Sequence, residues 1–455
     1  AILEKLEMWE DLLKAQIAND QGLVFQALGN PQKALERHRM CLDIRRKNFK
    51  SINYDIICSY NNVGFAYGLV ADYKKAMDYY KKSLDGMLKL FGENHPYIAT
   101  IYNNMGGVFD QTGKYQDALI NFEKALEIKR RNYGENDIEV ANSMNNLGGV
   151  YSHIGDNAKA LKYYEKALEI RKHELGDDHQ DVATTLNNMA VSLHKLGEQS
   201  KALDCHMQSL EIRRNLFGED HPAIAISYNN IANIYQNSGK NEQALNYYLK
   251  ALEISKQMYS GKDHPSIAAL LNNIGSIYEK TGKHKEALEN LSNSLTMQKK
   301  LYGEKHLETA ITYNNIGEVY GSLGDLKKSM ENLQRSLELL QTIFGKNDHP
   351  ELATSLHNKG SLLHKMGESD KAKESLEKSL AMINKLYAKD KREKSHALNN
   401  LARVYEKMGD QEKADEYFNQ ALEIEKKLSI DSRRSTQFGD DQSSEQMNPE
   451  NNVVQ

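Results

Sequence analysis

The chain has 455 residues, of which 40% are hydrophobic and 27% charged, with a formal net charge of -4. This balance suits a protein with a real core, and it argues against nucleic acid as the main partner because no large positive field is available. No apolar run approaches the roughly 20 residues of a membrane-spanning helix, and no secretory signal opens the chain, so membrane insertion is not expected.

The chain starts at Ala1 rather than Met, which raises the expectation that an N-terminal part is missing. From there an asparagine pair returns every 42 residues: Asn61-Asn62, Asn103-Asn104, Asn145-Asn146, Asn187-Asn188 and Asn229-Asn230. Asn272-Asn273 and Asn314-Asn315 follow, with one extra residue before Asn272 and another before His357, and the last clear pair is Asn399-Asn400. Asn19-Asp20 and His357-Asn358 are degenerate copies, which brings the total to ten. Self-similarity at a fixed period of this length indicates stacked supersecondary units, in which each unit touches only its neighbours.

The unit from Pro96 to Gly134 shows how one copy is built. Pro96 suits a first helical position, and a helix A is predicted to run from it to about Thr112. Tyr102, Met105, Gly106 and Phe109 follow the spacing of an apolar helix face. Gly113 ends that helix, and a helix B is predicted from about Tyr115 to Asn132, with Ala118, Phe122, Ala125 and Leu126 inward and Gly134 as its stop. So short a connection permits only an antiparallel pair. Applied to the whole chain, this places helix A starts near residues 3, 54, 96, 138, 180, 222, 265, 307, 350 and 392.

The small residues are diagnostic. Helix A carries Gly64, Gly106, Gly148, Ala190, Ala232, Gly275, Gly317 and Gly360 at one equivalent place, and Ala76, Ala118, Ala160, Ala202 and Ala244 follow the first five of these twelve residues on. Glycine inside a helix costs about 1 kcal/mol relative to alanine. Its recurrence therefore predicts a close crossing of the two helices. An aromatic three residues later, such as Tyr67, Phe109 or Tyr151, is expected to fill the space around it.

This order of small residue, aromatic, turn glycine, alanine and aromatic resembles the tetratricopeptide repeat. The resemblance covers residues 2–427. The period exceeds the common one of about 34 residues because helix B continues about two more turns, through Ala125-Leu126-Glu127-Ile128-Lys129-Arg130-Arg131. The Asn-Asn-Leu/Ile/Met-Gly/Ala form of helix A is similar to the kinesin-light-chain type, although the heptad segment that opens a kinesin light chain is not visible here. The resemblance implies an all-α fold, an α-solenoid of about ten helix hairpins wound into a right-handed superhelix, with the A helices lining its concave groove. Residues 428–455 are polar, poor in apolar groups and expected to be disordered.

In such an array the second asparagine of each pair faces the groove, where its amide offers a donor and an acceptor to the backbone of an extended peptide. The resemblance to kinesin light chains implies this use for Asn104, Asn146, Asn188, Asn230, Asn273 and Asn315. The alternative is that the pair braces the adjacent helix. Asn233 adds to a polar stripe with Asn230 and Asn237, and His194 and Lys195 extend the row in repeat five. Gly107 and Gly149 follow the packing glycine directly, which reads either as room for a ligand or as drift. Lys195, Lys280, Lys365 and Lys407 would draw an acidic peptide, or else they only answer the helix dipole.

Other signals carry less. His95, His179, His221, His264, His306 and His349 recur with the repeat, but four of them directly precede a proline at a helix start. They lie about one helix pair apart, whereas metal ligands sit about 2 Å from one ion, so no metal and no cofactor is expected. The basic runs Arg45-Arg46-Lys47, Lys129-Arg130-Arg131 and Arg213-Arg214 end B helices, where the dipole accounts for them. Cys41, Cys58 and Cys205 have no metal-type spacing and read as reduced thiols, which fits a cytoplasmic location. No phosphate loop, nucleophile elbow or calcium loop gives a reason to propose catalysis.

The reading is a non-catalytic scaffold or adaptor that binds a protein or peptide partner in its groove. Two other settings stand beside it. One is the regulatory array of a larger signalling enzyme with its catalytic domain upstream; the other is a kinesin-light-chain-like cargo adaptor in a motor complex.

Overall fold

The computed structural model describes residues 2–345, 347–386 and 392–444, and these form twenty α-helices. They divide into two compact units, Ala1–Leu196 and Gly197–Gln455. The first holds α1 (Ile2–Ala27), α2 (Pro31–Asn48), α3 (Tyr54–Leu69), α4 (Tyr73–Phe91), α5 (Pro96–Gln111), α6 (Tyr115–Tyr133), α7 (Ile138–Ile154), α8 (Asn157–Leu175) and α9 (Gln180–Lys195). The second holds α10 (Gln199–Phe217), α11 (Pro222–Asn237), α12 (Asn241–Met258), α13 (Pro265–Lys280), α14 (His284–Tyr302), α15 (Leu307–Leu323), α16 (Leu326–Phe344), α17 (Pro350–Met366), α18 (Ser369–Leu386), α19 (Arg392–Met408) and α20 (Gln411–Ser444). Odd-numbered helices are the A helices. Within each unit consecutive helices pack on one another, A on the following B and B on the next A, which is the pattern of an α-solenoid.

Local chemistry sets the boundaries. The A helices α5, α9, α11, α13, α15 and α17 start at the six repeating histidines, whose Nδ1 accepts the backbone N–H two residues on. Five of these rings lie against an aromatic that ends the previous B helix, among them Tyr259 on His264 and Phe344 on His349. The histidines are therefore N-caps. Asn30, Asp72, Asp156 and Asp325 cap B helices in the same way through side-chain oxygens. Gly155 (φ +93°) takes the left-handed conformation that turns α7 into α8.

The close crossing within each hairpin exists, but other residues fill it. A Cβ placed on Gly106 would lie 2.9–3.1 Å from the Phe122 ring, and one on Gly148 would lie 2.7–2.9 Å from the Tyr164 ring. Gly64 meets Tyr80 in the same way, and Gly275, Gly317 and Gly360 meet Leu291, Leu333 and Leu376. The filler is the residue sixteen positions after the small one. The aromatics three positions after it stack instead on helix B tyrosines at the hairpin flank: Tyr67 on Tyr79, Tyr151 on Tyr163, Tyr235 on Tyr247 and Tyr405 on Tyr417. Ala118, Phe122, Ala125 and Leu126 are buried as expected, while α5 also buries Ile98, Ile101 and Val108 because it packs on neighbours to both sides.

Two further expectations change. Arg45, Lys129 and Arg213 do more than answer the helix dipole. They are buried, as is Arg171, and each reaches the next A helix. Arg45 donates to Ser59 Oγ at 2.8 Å and the Asp55 carbonyl at 3.0 Å; Arg171 makes the matching pair with Thr185 Oγ1 at 2.6 Å and the Asp181 carbonyl at 3.0 Å. Arg213 holds Ser227 Oγ at 2.8 Å, and Lys129 holds the Glu139 carbonyl at 3.2 Å. Second, α20 continues past residue 427 to Ser444, since no proline interrupts it there; the rest of the segment expected to be disordered, residues 445–455, lies outside the described residues.

The helical glycines differ in what an added methyl group would meet. Gly106→Ala must displace the Phe122 ring and is expected to lower stability by about 1–3 kcal/mol. Gly107→Ala, with nothing within 4 Å, should raise it by up to about 1 kcal/mol through helix propensity. Urea denaturation of the two variants should show midpoints moving in opposite directions.

Stability should also fall in acid. Burial holds His38 and His357 down to about 4 from the ordinary 6.5, and it lowers His264 and His349 as well. A group with a depressed folded pKa contributes fully above the unfolded value, and that contribution is lost as pH falls. Thermal melting followed from pH 7 to pH 4 should show a decline that begins near 6.5, and His38→Gln should reduce its slope.

Candidate functional site

The asparagine pairs form a ladder. The second asparagine of one repeat donates through Nδ2 to the side-chain oxygen of the first asparagine in the repeat before. In the N-terminal unit the rungs are Asn62 to Asn19 at 2.9 Å, Asn104 to Asn61 at 3.0 Å, Asn146 to Asn103 at 2.7 Å and Asn188 to Asn145 at 3.4 Å. In the C-terminal unit they are Asn273 to Asn229 at 3.4 Å, Asn315 to Asn272 at 3.1 Å and Asn358 to Asn314 at 3.3 Å. Asn400 continues it by donating to His357 Nε2 at 3.0 Å.

Each rung uses one N–H of the second asparagine. The other N–H and the carbonyl oxygen of Asn104, Asn146 and Asn188 have no protein partner among the described residues, and all three side chains are half-buried. They share a cavity of about 590 Å³ that crosses the A helices α3, α5, α7 and α9. Gly107 and Gly149 also line it. At Gly107 an added Cβ would meet nothing within 4 Å, and at Gly149 only the Tyr164 hydroxyl at 3.8 Å. Below them Tyr80, Phe122 and Tyr164, the residues that fill the three hairpin crossings, form the floor.

The end of the cavity near the helix C-termini is charged. Lys195, on the exposed rim, donates to the Ser152 carbonyl at 3.2 Å and to Ser152 Oγ at 3.3 Å, and partial burial lowers its pKa. Beside it His153 Nδ1 lies 2.7 Å from Asp110 Oδ1. Lys407 repeats the first contact in the last hairpin, reaching the His364 carbonyl at 3.3 Å.

Of the residues singled out in the sequence, Asn104, Asn146, Asn188 and Lys195 thus come together in one cavity. His194 is half-buried on α9 and does not line it. Asn230, Asn233, Asn273 and Asn315 belong to the C-terminal unit, half-buried on α11, α13 and α15. There Asn233 Oδ1 takes the Tyr248 hydroxyl at 2.5 Å. That unit has a larger depression of about 960 Å³ along α16–α18, but its rim charges pair with one another, Lys371 with Glu368 and Lys378 with Glu374. The floor residues Tyr80, Phe122 and Tyr164 were not among the expected site residues; the signal that would have found them is their place sixteen positions after the packing glycine. Among the described residues no group of three His, Cys, Asp or Glu could hold a metal ion, and no helix is long and apolar enough to cross a membrane.

The sequence profile of the tetratricopeptide repeat matches residues 55–131, 139–215, 181–257, 266–342 and 351–427. Among curated proteins nothing matches the chain. Solved structures of similar fold include the apo form of RapI, with a TM-score of 0.57 at 14% identity over 91% of this chain and 98% of that one. A Rap protein complexed with Competence and Sporulation Factor gives 0.52 at 17% identity over 92% and 99%. BtubC (BKLC) from P. vanneervenii gives 0.45 at 24% identity over 52% and 94%.

The ladder can be measured by a double-mutant cycle. Asn103→Ala and Asn146→Ala are each expected to cost about 1 kcal/mol in chemical denaturation. The double variant should cost clearly less than the sum, since the two side chains share one bond.

Proposed function

The chain belongs to the tetratricopeptide repeat family, and on that basis we propose that it is a binding array whose N-terminal unit holds an extended segment of a partner protein in the cavity across α3, α5, α7 and α9. The observation that carries this reading is the row of Asn104, Asn146 and Asn188, whose amides keep a donor and an acceptor unpaired inside that cavity. An extended backbone offers alternating N–H and C=O groups, and a row of amides can meet them without reading sequence. The ladder supports the reading, because it orders each amide before a ligand arrives and so reduces the entropy lost on binding. Gly107 and Gly149 support it too, since each accepts the helix cost of glycine and leaves space in return. A Rap protein of similar fold is complexed with Competence and Sporulation Factor, which agrees with an array that holds a ligand. In the C-terminal unit, taken by itself, Asn230, Asn233, Asn273 and Asn315 form a corresponding row of amides for the same use, and His194 stands on α9 outside the N-terminal cavity.

The test uses peptides selected from a phage-displayed random library on the immobilised full chain. Changing Asn146 and Asn188 together to Leu should lower the affinity of the selected peptides at least about 100-fold, the loss of two or more hydrogen bonds with amides left unpaired. Circular dichroism should stay unchanged. Unaltered affinity in the double variant would remove the groove as the site.

A further inference from the structure

Tyr164 and Tyr248 stand at the same place in repeats four and six, each sixteen residues after the small residue of its helix A, and both are buried. Their hydroxyls are treated differently. That of Tyr248 meets Asn233 Oδ1 at 2.5 Å and Gln236 Oε1 at 2.6 Å. In repeat four the positions of Asn233 and Gln236 are taken by Gly149 and Ser152. Gly149 has no side chain to offer, and Ser152 Oγ is engaged with Asn157 and Lys195. Tyr164 is only 3% exposed and its hydroxyl has no hydrogen-bond partner among the described residues, yet it lies 3.8 Å from where a Gly149 Cβ would be and lines the cavity. The hydroxyl oxygen is not sealed in: it opens onto the cavity, where a bound chain can reach it.

We propose that the Tyr164 hydroxyl is a ligand-binding group of this cavity, donating through the gap left by Gly149 to a main-chain carbonyl of the bound segment. The inference rests on the groove reading above and deepens it by naming where the ligand backbone descends to the floor. Glycine is the residue that lets another backbone come this close. Burial, with a smaller contribution from Asp110, raises the Tyr164 phenol above its ordinary value, so the hydroxyl keeps its proton and can donate. Tyr80, two repeats earlier, is also buried, lines the same cavity and has no hydrogen-bond partner among the described residues. Phe122 lies between them without a hydroxyl. The position three after the second asparagine thus works as a gate: Asn233 closes it in repeat six, while Gly149 leaves it open in repeat four.

The experiment measures the affinity of the library-selected peptides by fluorescence anisotropy for the full chain and four variants. Tyr164→Phe should fold normally, because Phe122 occupies the same place in the preceding repeat. It should bind roughly tenfold more weakly, the size of one hydrogen bond. Tyr248→Phe, whose hydroxyl is already engaged, should bind like the parent. Gly149→Asn, which supplies the first of the two acceptors found in repeat six, should abolish binding with melting unchanged or raised. If Asn146→Leu with Asn188→Leu loses binding while Tyr164→Phe matches the parent, this proposal falls and the groove reading stands. Equal losses in Tyr164→Phe and Tyr248→Phe would also overturn it. If neither the asparagine pair nor Tyr164 matters, or if no peptide is selected, both readings fall.

Discussion

The structure depends on one steric constraint, repeated down the chain. A helix A residue with little or no side chain lies under a large residue sixteen positions later in helix B. Gly64, Gly106 and Gly148 face rings, while Gly275, Gly317 and Gly360 face leucines. Each glycine gives up about 1 kcal/mol of helix propensity, and the close packing it allows offsets that cost. Because the contact closes these hairpins internally, equivalent residues of successive A helices fall beside one another within each unit. The asparagine ladder is a consequence: rungs 43 or 44 residues apart can form only if neighbouring hairpins repeat in register.

Between hairpins the packing is more varied. The residue that reaches from a B helix to the next A helix is Arg45, Lys129, Arg171 or Arg213 in four repeats, and three of the four meet a hydroxyl of Ser59, Thr185 or Ser227. In another repeat the residue is Gln298, which takes the Thr312 hydroxyl at 2.9 Å. Where it is Met87, the facing residue is Ile101, and both are buried in one apolar cluster. Polar and apolar versions of one contact both occur, and each is matched across the interface. A buried cation without its hydroxyl and carbonyl acceptors would cost several kcal/mol, so the two partners are constrained together.

These features explain what could be read in advance. Helix limits were legible because they rest on local chemistry: a proline or histidine at the start, a glycine at the stop. The small residues were legible as a crossing because they break helix propensity for no local reason. The identity of the filler was not, since Tyr67 and Tyr80 are both large and both in register, and only the backbone path decides which one lies over Gly64. The buried guanidinium groups of Arg45 and Arg213 were read as dipole partners because sequence position is the same for a side chain that faces water and one that reaches across an interface. Nor could the sequence show that Tyr164 lacks what Tyr248 has, because that difference lies in side chains fifteen and twelve residues earlier on another helix.

The asparagine pair raised a choice between bracing the fold and meeting a ligand; the ladder shows the bracing, and the proposed groove reading asks the same amide to do both. A carboxamide has two N–H donors and two lone pairs on its oxygen. One N–H of Asn146 is spent on Asn103, and this bond fixes the rotation of the amide plane. The remaining donor and acceptor then point in a direction set by the neighbouring repeat. A free asparagine on a helix surface would have to be ordered by its ligand at a cost of about 0.5–1.5 kcal/mol. Here the ladder has already met much of that cost during folding, and a row of such amides presents a backbone-like pattern that is rigid before anything binds. A residue of another type at the first position would weaken the fold and loosen the second asparagine at the same time, so on the proposed reading stability and recognition are coupled through one hydrogen bond per repeat.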